Sequence, residues 1–321
     1  MKVYILEDPD PQYPFLPEVY LAGHEWEWVS VSKANAVQAV LGLAERGFGV
    51  ILNLCDGSRV EPDRTGVEVI EALERLNLPF TGCDSSFYEP TRESMKRVCL
   101  QHGLGTPAGV FFWDHADLAT AVDGLRYPLL VKHPNSFSSI GLLPESRVTE
   151  FAGLQSQVRR MMDHFGGALV EEFIEGRELS AMVAENPDDP SAPVVYPPVE
   201  FLFPEGESFK HEQLKWVTFD RMECVPVSDP DLAARLQEMT RRMFLGMNGS
   251  GFGRCDFRMD ARGDLYLLEI NPNCGVFYPP DAPGTADTIL RLDPGGHTAF
   301  VDLLLRGALK RYVRRGGKLP T

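Results

Sequence analysis

No apolar run in the 321-residue sequence approaches the roughly 20 residues that a membrane-spanning helix requires, so a soluble protein is expected. The short apolar stretch Val3 to Leu6 follows a single cation, Lys2, and breaks at once into Glu7, Asp8 and Pro9, which argues against a secretory signal. Cysteine is scattered without close pairs, at Cys55, Cys83, Cys99, Cys224, Cys255 and Cys274; that spacing suits neither a disulfide framework nor a zinc ribbon, and fits reduced thiols in the cytoplasm. Positive charge is in deficit, with 31 Lys and Arg against 46 Asp and Glu and a formal charge of −15, the wrong sign for a nucleic-acid surface. The one basic cluster, Lys310, Arg311, Arg314, Arg315 and Lys318, reads as the last turns of a helix, whose carbonyl end favours cations.

Other signatures are missing too. His24 with Glu25 and His211 with Glu212 each lack a second histidine four residues after the first, so both read as surface pairs and not as a zinc hydrolase. The glycine pattern GLGTPAG follows a helix-like segment and contains Pro107, whereas a dinucleotide fingerprint follows a strand and opens a helix. A cysteine nucleophile is unsupported, since Cys255 falls on the apolar side of a strand and Cys274 reads as packing.

What is present alternates. Strand-like Val3 to Leu6, helix-like Ala34 to Arg46, strand-like Val50 to Leu54, helix-like Thr65 to Leu76 and then Phe80 indicate a parallel sheet. A second unit begins near Pro90, with a helix at Glu93 to His102, strands at Gly109 to Phe112 and Leu129 to His133, a helix near Val148 to His164 and a strand at Ala168 to Phe173. After Gly176 the strands lengthen and read as antiparallel, around a loop at Glu185 to Pro193, a helix at Pro230 to Leu245, strands at Gly253 to Met259 and Leu265 to Asn271, and a closing helix at His297 to Arg314.

Period-two alternation sorts the last two strands into faces. Arg254, Asp256 and Arg258 oppose Cys255, Phe257 and Met259; Leu267, Glu269 and Asn271 oppose Tyr266, Leu268 and Ile270. A turn through Ala261 to Asp264 would set Asp256 opposite Glu269 and Asn271 beside Arg254. Two bare carboxylates about 4 Å apart repel by about 4 kcal/mol at an effective dielectric of about 20, so the pair asks for a cation, and its hard oxygens suit magnesium. A solvated strand pair is the other reading.

Two further segments carry chemistry. YPLLVKHPNSFSSIG, Tyr127 to Gly141, delivers Lys132 from an apolar strand to a small-residue loop with Ser136, Ser138, Ser139 and Gly141, an arrangement that suits polyphosphate, although such loops are common. LVEEFIEGRE, Leu169 to Glu178, places acids on both sides of an apolar pair. Glu171 is a candidate acceptor for an adenine amino group, the Ile174 main chain for a ring nitrogen, Glu178 for ribose hydroxyls, and Phe173 or its neighbours for stacking. A hinge with solvated acids is the alternative.

With GFGRCDF and LYLLEINPNCG, these segments resemble, in order and spacing, the ATP-grasp superfamily, and most closely its D-alanine:D-alanine ligase branch, from about Val50 to Val276. The resemblance implies mixed α/β and α+β architecture in three lobes: an N-terminal parallel α/β domain over 1–88, a central lid subdomain over 89–175 and a C-terminal catalytic subdomain over 176–321, the last two clasping ATP. It implies that Lys132, Ser138 and Ser139 attend the phosphates; that Glu171, Glu172, Phe173, Ile174 and Glu178 bind adenosine; that Asp256, Glu269 and Asn271 hold two magnesium ions; that Arg254 and the Gly275 amide stabilise an oxyanion; and that Lys215 reaches the γ-phosphate. The implied reaction joins a carboxylate to an amine, both amino acids or small peptides, through an acylphosphate, releasing ADP and phosphate. A homodimer is the commonest assembly of the branch.

Three departures stand out. Arg92 occupies the place of the family's first ATP-contacting lysine, with Lys96 one turn on. The N-terminal glycine-rich segment is absent, replaced by MKVYILEDPDPQYPF, and VFYPPDAPG follows Gly275 where the branch has a serine-containing stretch, so substrates other than D-alanine are expected. Trp216 stands where the branch has a tyrosine. An ATP-binding regulatory protein, or an ATP-grasp kinase that does not ligate, is the rival reading; the retention of Arg254, Lys215 and the metal set argues against it.

Overall fold

Parallel and antiparallel pairing divide the strands into three sheets. The computed structural model describes every residue except 10, 12–14, 60, 62, 115–116, 136–138, 217–220 and 321, together with the side chains of 215 and 216. The first sheet contains β1 (Lys2–Glu7), β2 (Glu25–Ser30) and β3 (Val50–Asn53) in the order β2-β1-β3, all parallel. β1 and β3 are unbroken apolar runs because both faces are covered: Val3, Ile5 and Leu52 pack to one side, Tyr4, Leu6 and Ile51 to the other. β2, EWEWVS, went unread in the sequence. It is an edge strand in which Trp26 and Trp28 are more than a third exposed and only Val29 is buried, so it carries little apolar signal.

The second sheet, β4 (Gly109–Phe112), β5 (Leu129–Lys132), β6 (Arg147–Val148) and β7 (Ala168–Glu172), is antiparallel in the order β4-β7-β5-β6. The helix Phe151–Phe165 buries Leu154, Val158 and Met161 against Val131 and Val170, and ends on Gly166 in the left-handed conformation, φ 69°, that a side chain would resist.

The third sheet is built from β8 (Arg177–Ala184), β9 (Val194–Val195), β10 (Val199–Leu202), β11 (Glu223–Pro226), β12 (Phe252–Met259) and β13 (Leu265–Pro272), in the order β11-β10-β8-β12-β13 with β9 on β8. The helix Pro230–Gly246 covers one face through Leu232, Leu236, Met243 and Phe244; the helix Gly296–Arg314 covers the other through Phe300 and Leu304.

Those two layers also contain the two faces of the first sheet, so the N-terminal and C-terminal units share their apolar cores, while the middle sheet keeps a core of its own. The basic cluster reinforces the shared pair. Arg311 donates to Phe80 O and Gly82 O at 2.8 and 2.7 Å and pairs with Glu185 at 2.6 Å, and Arg314 joins Glu185 as well. His211 is not the surface partner of Glu212: it is buried, and its Nε2 lies 2.9 Å from Glu207.

Candidate active site

β12 and β13 pair with Asp256 opposite Glu269 and Arg254 opposite Asn271. The strict alternation expected for β13 does not hold, because Phe257 lies opposite Leu267 and leaves Leu268 as an extra residue. This bulge re-phases the strand: Leu265, Leu267 and Ile270 are all buried, whereas Leu268, expected on the core face, lines a cleft beside Glu269. Asn271 Nδ2 lies 2.9 Å from Asp256 Oδ2 and 3.5 Å from Glu269 Oε1, so the three polar heads converge.

Cations already attend both acids. Arg254 takes Asp256 in a two-pronged contact, Nε to Oδ1 and Nη2 to Oδ2, each 2.8 Å, and Ser180 Oγ donates to the same carboxylate. Burial alone would raise the Asp256 pKa; Arg254 outweighs it and holds the carboxyl well below the usual range. Glu269 pairs with Arg92, at the first turn of the helix Arg92–Gln101, which Thr91 caps by accepting from the Ser94 amide. Among the described residues no three His, Cys, Asp or Glu side chains gather to hold a metal, and Asn271 turns its Nδ2 toward both acids.

Across the cleft, β5 and β7 bring Lys132 and Glu171 together, and Lys96 reaches the same carboxylate at 2.9 Å. Lys132 and Glu171 are buried, and Lys96 is partly so. Desolvation pushes the Lys132 ammonium down to about 8, against the pull of Glu171 and with the push of Arg92. Burial would raise Glu171, but Lys132 and then Lys96 overcome it and bring the carboxyl to about 2. Glu172, next along β7, is clamped instead by Arg126, whose Nε and Nη2 lie 2.7 to 3.2 Å from its oxygens.

At the far end, Glu178 receives Lys210 and Arg258, each at 3.1 Å, and Arg258 Nε donates to Ile174 O at 3.0 Å. Phe173 lines the cleft with Arg258 and Arg147 about its ring, 4.9 and 5.1 Å from the centroid. Neither Lys210 nor Arg258 was assigned a role from sequence. Arg258 shares the alternating face of Asp256 and was legible there, whereas Lys210 arrives from a connecting segment with no periodic signal.

That segment also meets the small-residue loop: Ser139 Oγ donates to Lys210 O at 3.1 Å, Gly141 N to Glu212 at 3.1 Å and Glu212 N to Leu142 O at 2.9 Å. Ser138 and the Lys215 side chain lie outside the described residues.

Most of the groups on these strands, from Lys132 and Glu171 to Arg254, Asp256 and Glu269, line one cleft of about 800 Å³. Arg92, Lys132, Lys210, Arg254 and Arg258 pair there with Glu171, Glu178, Asp256 and Glu269, and further carboxylates, Glu172 among them, line the same cleft, so its cations are matched by acids. The remaining wall runs from Gly275 to Gly284. A β-carbon at Gly275 would meet the Tyr278 hydroxyl at 2.7 Å, so a side chain there would displace that ring. Burial raises the Cys274 thiol to about 12, which removes it as a nucleophile near neutral pH.

Comparison with known proteins agrees with this geometry. Residues 112–278 match the family model described as D-ala D-ala ligase C-terminus. A Bordetella petrii protein named D-alanine--D-alanine ligase is 32% identical over 208 residues, which cover 64% of this chain and 61% of that protein. A Ralstonia nicotianae protein of the same name is 30% identical over 244 residues, covering 74% and 70% respectively. Among solved structures, a Bacillus anthracis D-alanine--D-alanine ligase complexed with ATP superposes with a TM-score of 0.72 at 15% identity, over 98% of this chain and all of that one. The VanG D-Ala:D-Ser ligase of Enterococcus faecalis gives 0.68 at 14% identity, over 96% and 99%. The fold is therefore the ATP-grasp fold, and the chain belongs to the D-Ala-D-Ala ligase C-terminus family.

Proposed function

We propose that this protein is an ATP-dependent carboxylate–amine ligase that joins amino acids or small peptides through an acylphosphate, with lobe boundaries near residues 88 and 175. The observation that carries the reading is the convergence of Asp256, Glu269 and Asn271 in the same cleft as Lys132 and Arg92, with Lys96 reaching Glu171 beside them. Phosphoryl transfer requires positioning and charge neutralisation more than a protein nucleophile, and this lining supplies both.

Lys132, Lys96, Arg92 and the loop bearing Ser138 and Ser139 receive the phosphates of ATP, joined by Lys215 at the γ-phosphate. Glu171 and the main chain of Glu172 to Ile174 border the adenine, with Phe173 beside it, and Glu178 accepts from the ribose. Asp256, Glu269 and Asn271 are the residues that would hold magnesium, which would supply charge neutralisation on the phosphates. A substrate carboxylate oxygen attacks the γ-phosphorus and ADP leaves; the amine then attacks the acyl carbon and phosphate leaves. Arg254 and the Gly275 amide face the oxyanion formed in that second step.

The wall from Phe277 to Gly284 replaces the acceptor stretch of the branch, so the acceptor is expected to differ from D-alanine. Six free thiols fit a reducing cytoplasm, and a homodimer is the proposed assembly. The test is ADP release over pairs of amino acids and small peptides, with product masses determined. Release that needs both a carboxylate and an amine supports ligation; release with a carboxylate alone, and no amide product, overturns it in favour of a kinase.

A further inference from the structure

Lys33 lies on the turn between β2 and the helix Ala36–Glu45, and its ammonium meets the connection that follows β3. It donates to Ser58 O at 2.8 Å, to Arg59 O at 3.2 Å and to Glu61 O, and the Glu68 carboxylate lies 3.3 Å away. Three main-chain carbonyls of one short segment point their negative ends at a single cation, which has three N–H groups to give them. Without that cation the carbonyl dipoles would repel one another, so the path of the segment depends on Lys33. An exposed ion pair is different, because its loss leaves each partner solvated.

The base of the segment closes on itself. Gly57 N donates to Thr65 O at 2.9 Å, Tyr88 Oη donates to Gly57 O at 2.7 Å, and a β-carbon at Gly66 would fall 1.7 Å from Gly57 O, so the two arms touch where a side chain has no room. On the solvent side Arg59 adds contacts to Glu71 and Glu89. The inner side belongs to the cleft, which Asp56, Ser58, Glu61 and Arg64 line together with Tyr278. Arg64 pairs with Asp56, and both act on the tyrosine: burial and then the Asp56 carboxylate push the Tyr278 hydroxyl up, and the Arg64 guanidinium opposes them. Lys132 and Lys96, on the proposed phosphate side, stand on β5 and the helix Arg92–Gln101 and owe nothing to this segment.

Resting on the proposed function, we propose that Lys33 is a positioning residue: by gathering the carbonyls of Ser58, Arg59 and Glu61 from outside the cleft, it sets Asp56 and Arg64 towards Tyr278 and so shapes the pocket for the amine. Lys33 itself does not line the cleft, so it acts only through the segment it holds. The amine side is affected and the nucleotide side is not.

Lys33→Met keeps the stem and removes the donors. Its KM for the amine is expected to rise about tenfold or more, with kcat within about threefold and calorimetric affinity for a non-hydrolysable ATP analogue within about twofold of the parent. Lys33→Arg, which keeps a charged donor group, is expected to recover most of the loss. Trypsin under native conditions reads the segment itself, since Arg59 and Arg64 lie in it: cleavage after either is expected to be about tenfold faster in Lys33→Met. If the methionine variant does not fold, Lys33→Gln carries the same comparison. An amine KM within about twofold of the parent overturns the proposal, as does a loss of ATP affinity equal to the rise in KM, which marks a general loss of structure. If the parent releases no ADP with any substrate pair, the ligase reading fails; cleavage at Arg59 and Arg64 that is no faster in the variant overturns the role of Lys33 independently of that reading.

Discussion

Asp287 holds Tyr278 over Gly275 from behind the cleft wall. Its Oδ2 accepts from the Tyr278 and Gly284 amides at 3.3 and 3.0 Å, and its Oδ1 accepts from the Phe277 amide at 2.8 Å and lies 2.8 Å from His297 Nε2. The carboxylate is wholly buried, so it serves the shape of the segment that replaces the branch's acceptor stretch.

Replacing Asp287 with Asn turns one acceptor into a donor facing donors. A buried unsatisfied group costs about 1–3 kcal/mol, which chemical denaturation resolves. With the wall loosened, the KM for the amine is expected to rise several-fold while ATP affinity is kept. Unchanged stability together with an unchanged amine KM would show that the wall is fixed by other contacts.

Glu269→Gln tests the metal set more cleanly than Asp256→Asn. Asp256 neutralises the buried Arg254, and removing one partner of such a pair typically costs about 3–5 kcal/mol, which confuses lost chemistry with lost fold. Glu269 is more accessible, and its amide analogue keeps the shape. Turnover is expected to fall by about a hundredfold or more, the scale of losing one charge-stabilising group, with a thermal transition near that of the parent. Near-normal ADP release from Glu269→Gln removes Glu269 from the metal set.

The burial that brings Lys132 down to about 8 gives nucleotide binding a pH dependence. Phosphate favours the ammonium form, so binding draws a proton onto Lys132 and affinity falls as pH rises through about 8. The stability effect has the opposite slope. Between about 8 and the ordinary lysine value of 10.5 the unfolded chain binds more protons at this site than the folded one, so the Lys132 contribution to stability increases with pH there. Calorimetry of a non-hydrolysable ATP analogue at pH 7 and pH 9, in buffers of different ionisation heat, checks the first effect. A flat affinity with no proton uptake rules it out.

Alternation put the hairpin's acids on one face in the sequence, but its register was not fixed there; the structure sets Asp256 against Glu269 and Arg254 against Asn271. The bulge at Leu268 was not legible, since an extra residue leaves no mark in a run of apolar and polar side chains that fits either phase. Nor was the pairing of every acid with a cation. Glu171 reads as a ligand group in LVEEFIEGRE, yet its two lysines come from a separate helix and strand, and Arg92 and Lys210 meet their acids only through the packing of distant segments. The sharing of two cores between the first and third sheets is likewise a property of the assembled layers, because Val3 and Tyr4 point to opposite sides of one short strand.

Glu171 is the shared counter-charge of Lys132 and Lys96, and this predicts two separable effects of its loss. Glu171→Ala leaves two buried ammonium groups without an acid, so destabilisation of about 3–5 kcal/mol is expected at neutral pH. In the parent the carboxyl is held at about 2 against an ordinary 4.5, so its stabilising contribution is complete above about pH 4.5 and is lost as pH falls towards 2; the variant's unfolding free energy should be flatter across that window. Functionally, the two lysines lose their fixed direction, so affinity for ATP is expected to drop by tenfold or more, about 1.4 kcal/mol, while the KM for the amine changes little. Calorimetric ATP affinity within that limit of the parent, in a variant still folded at the assay temperature, would mean that Lys132 and Lys96 find the phosphates without Glu171 to aim them.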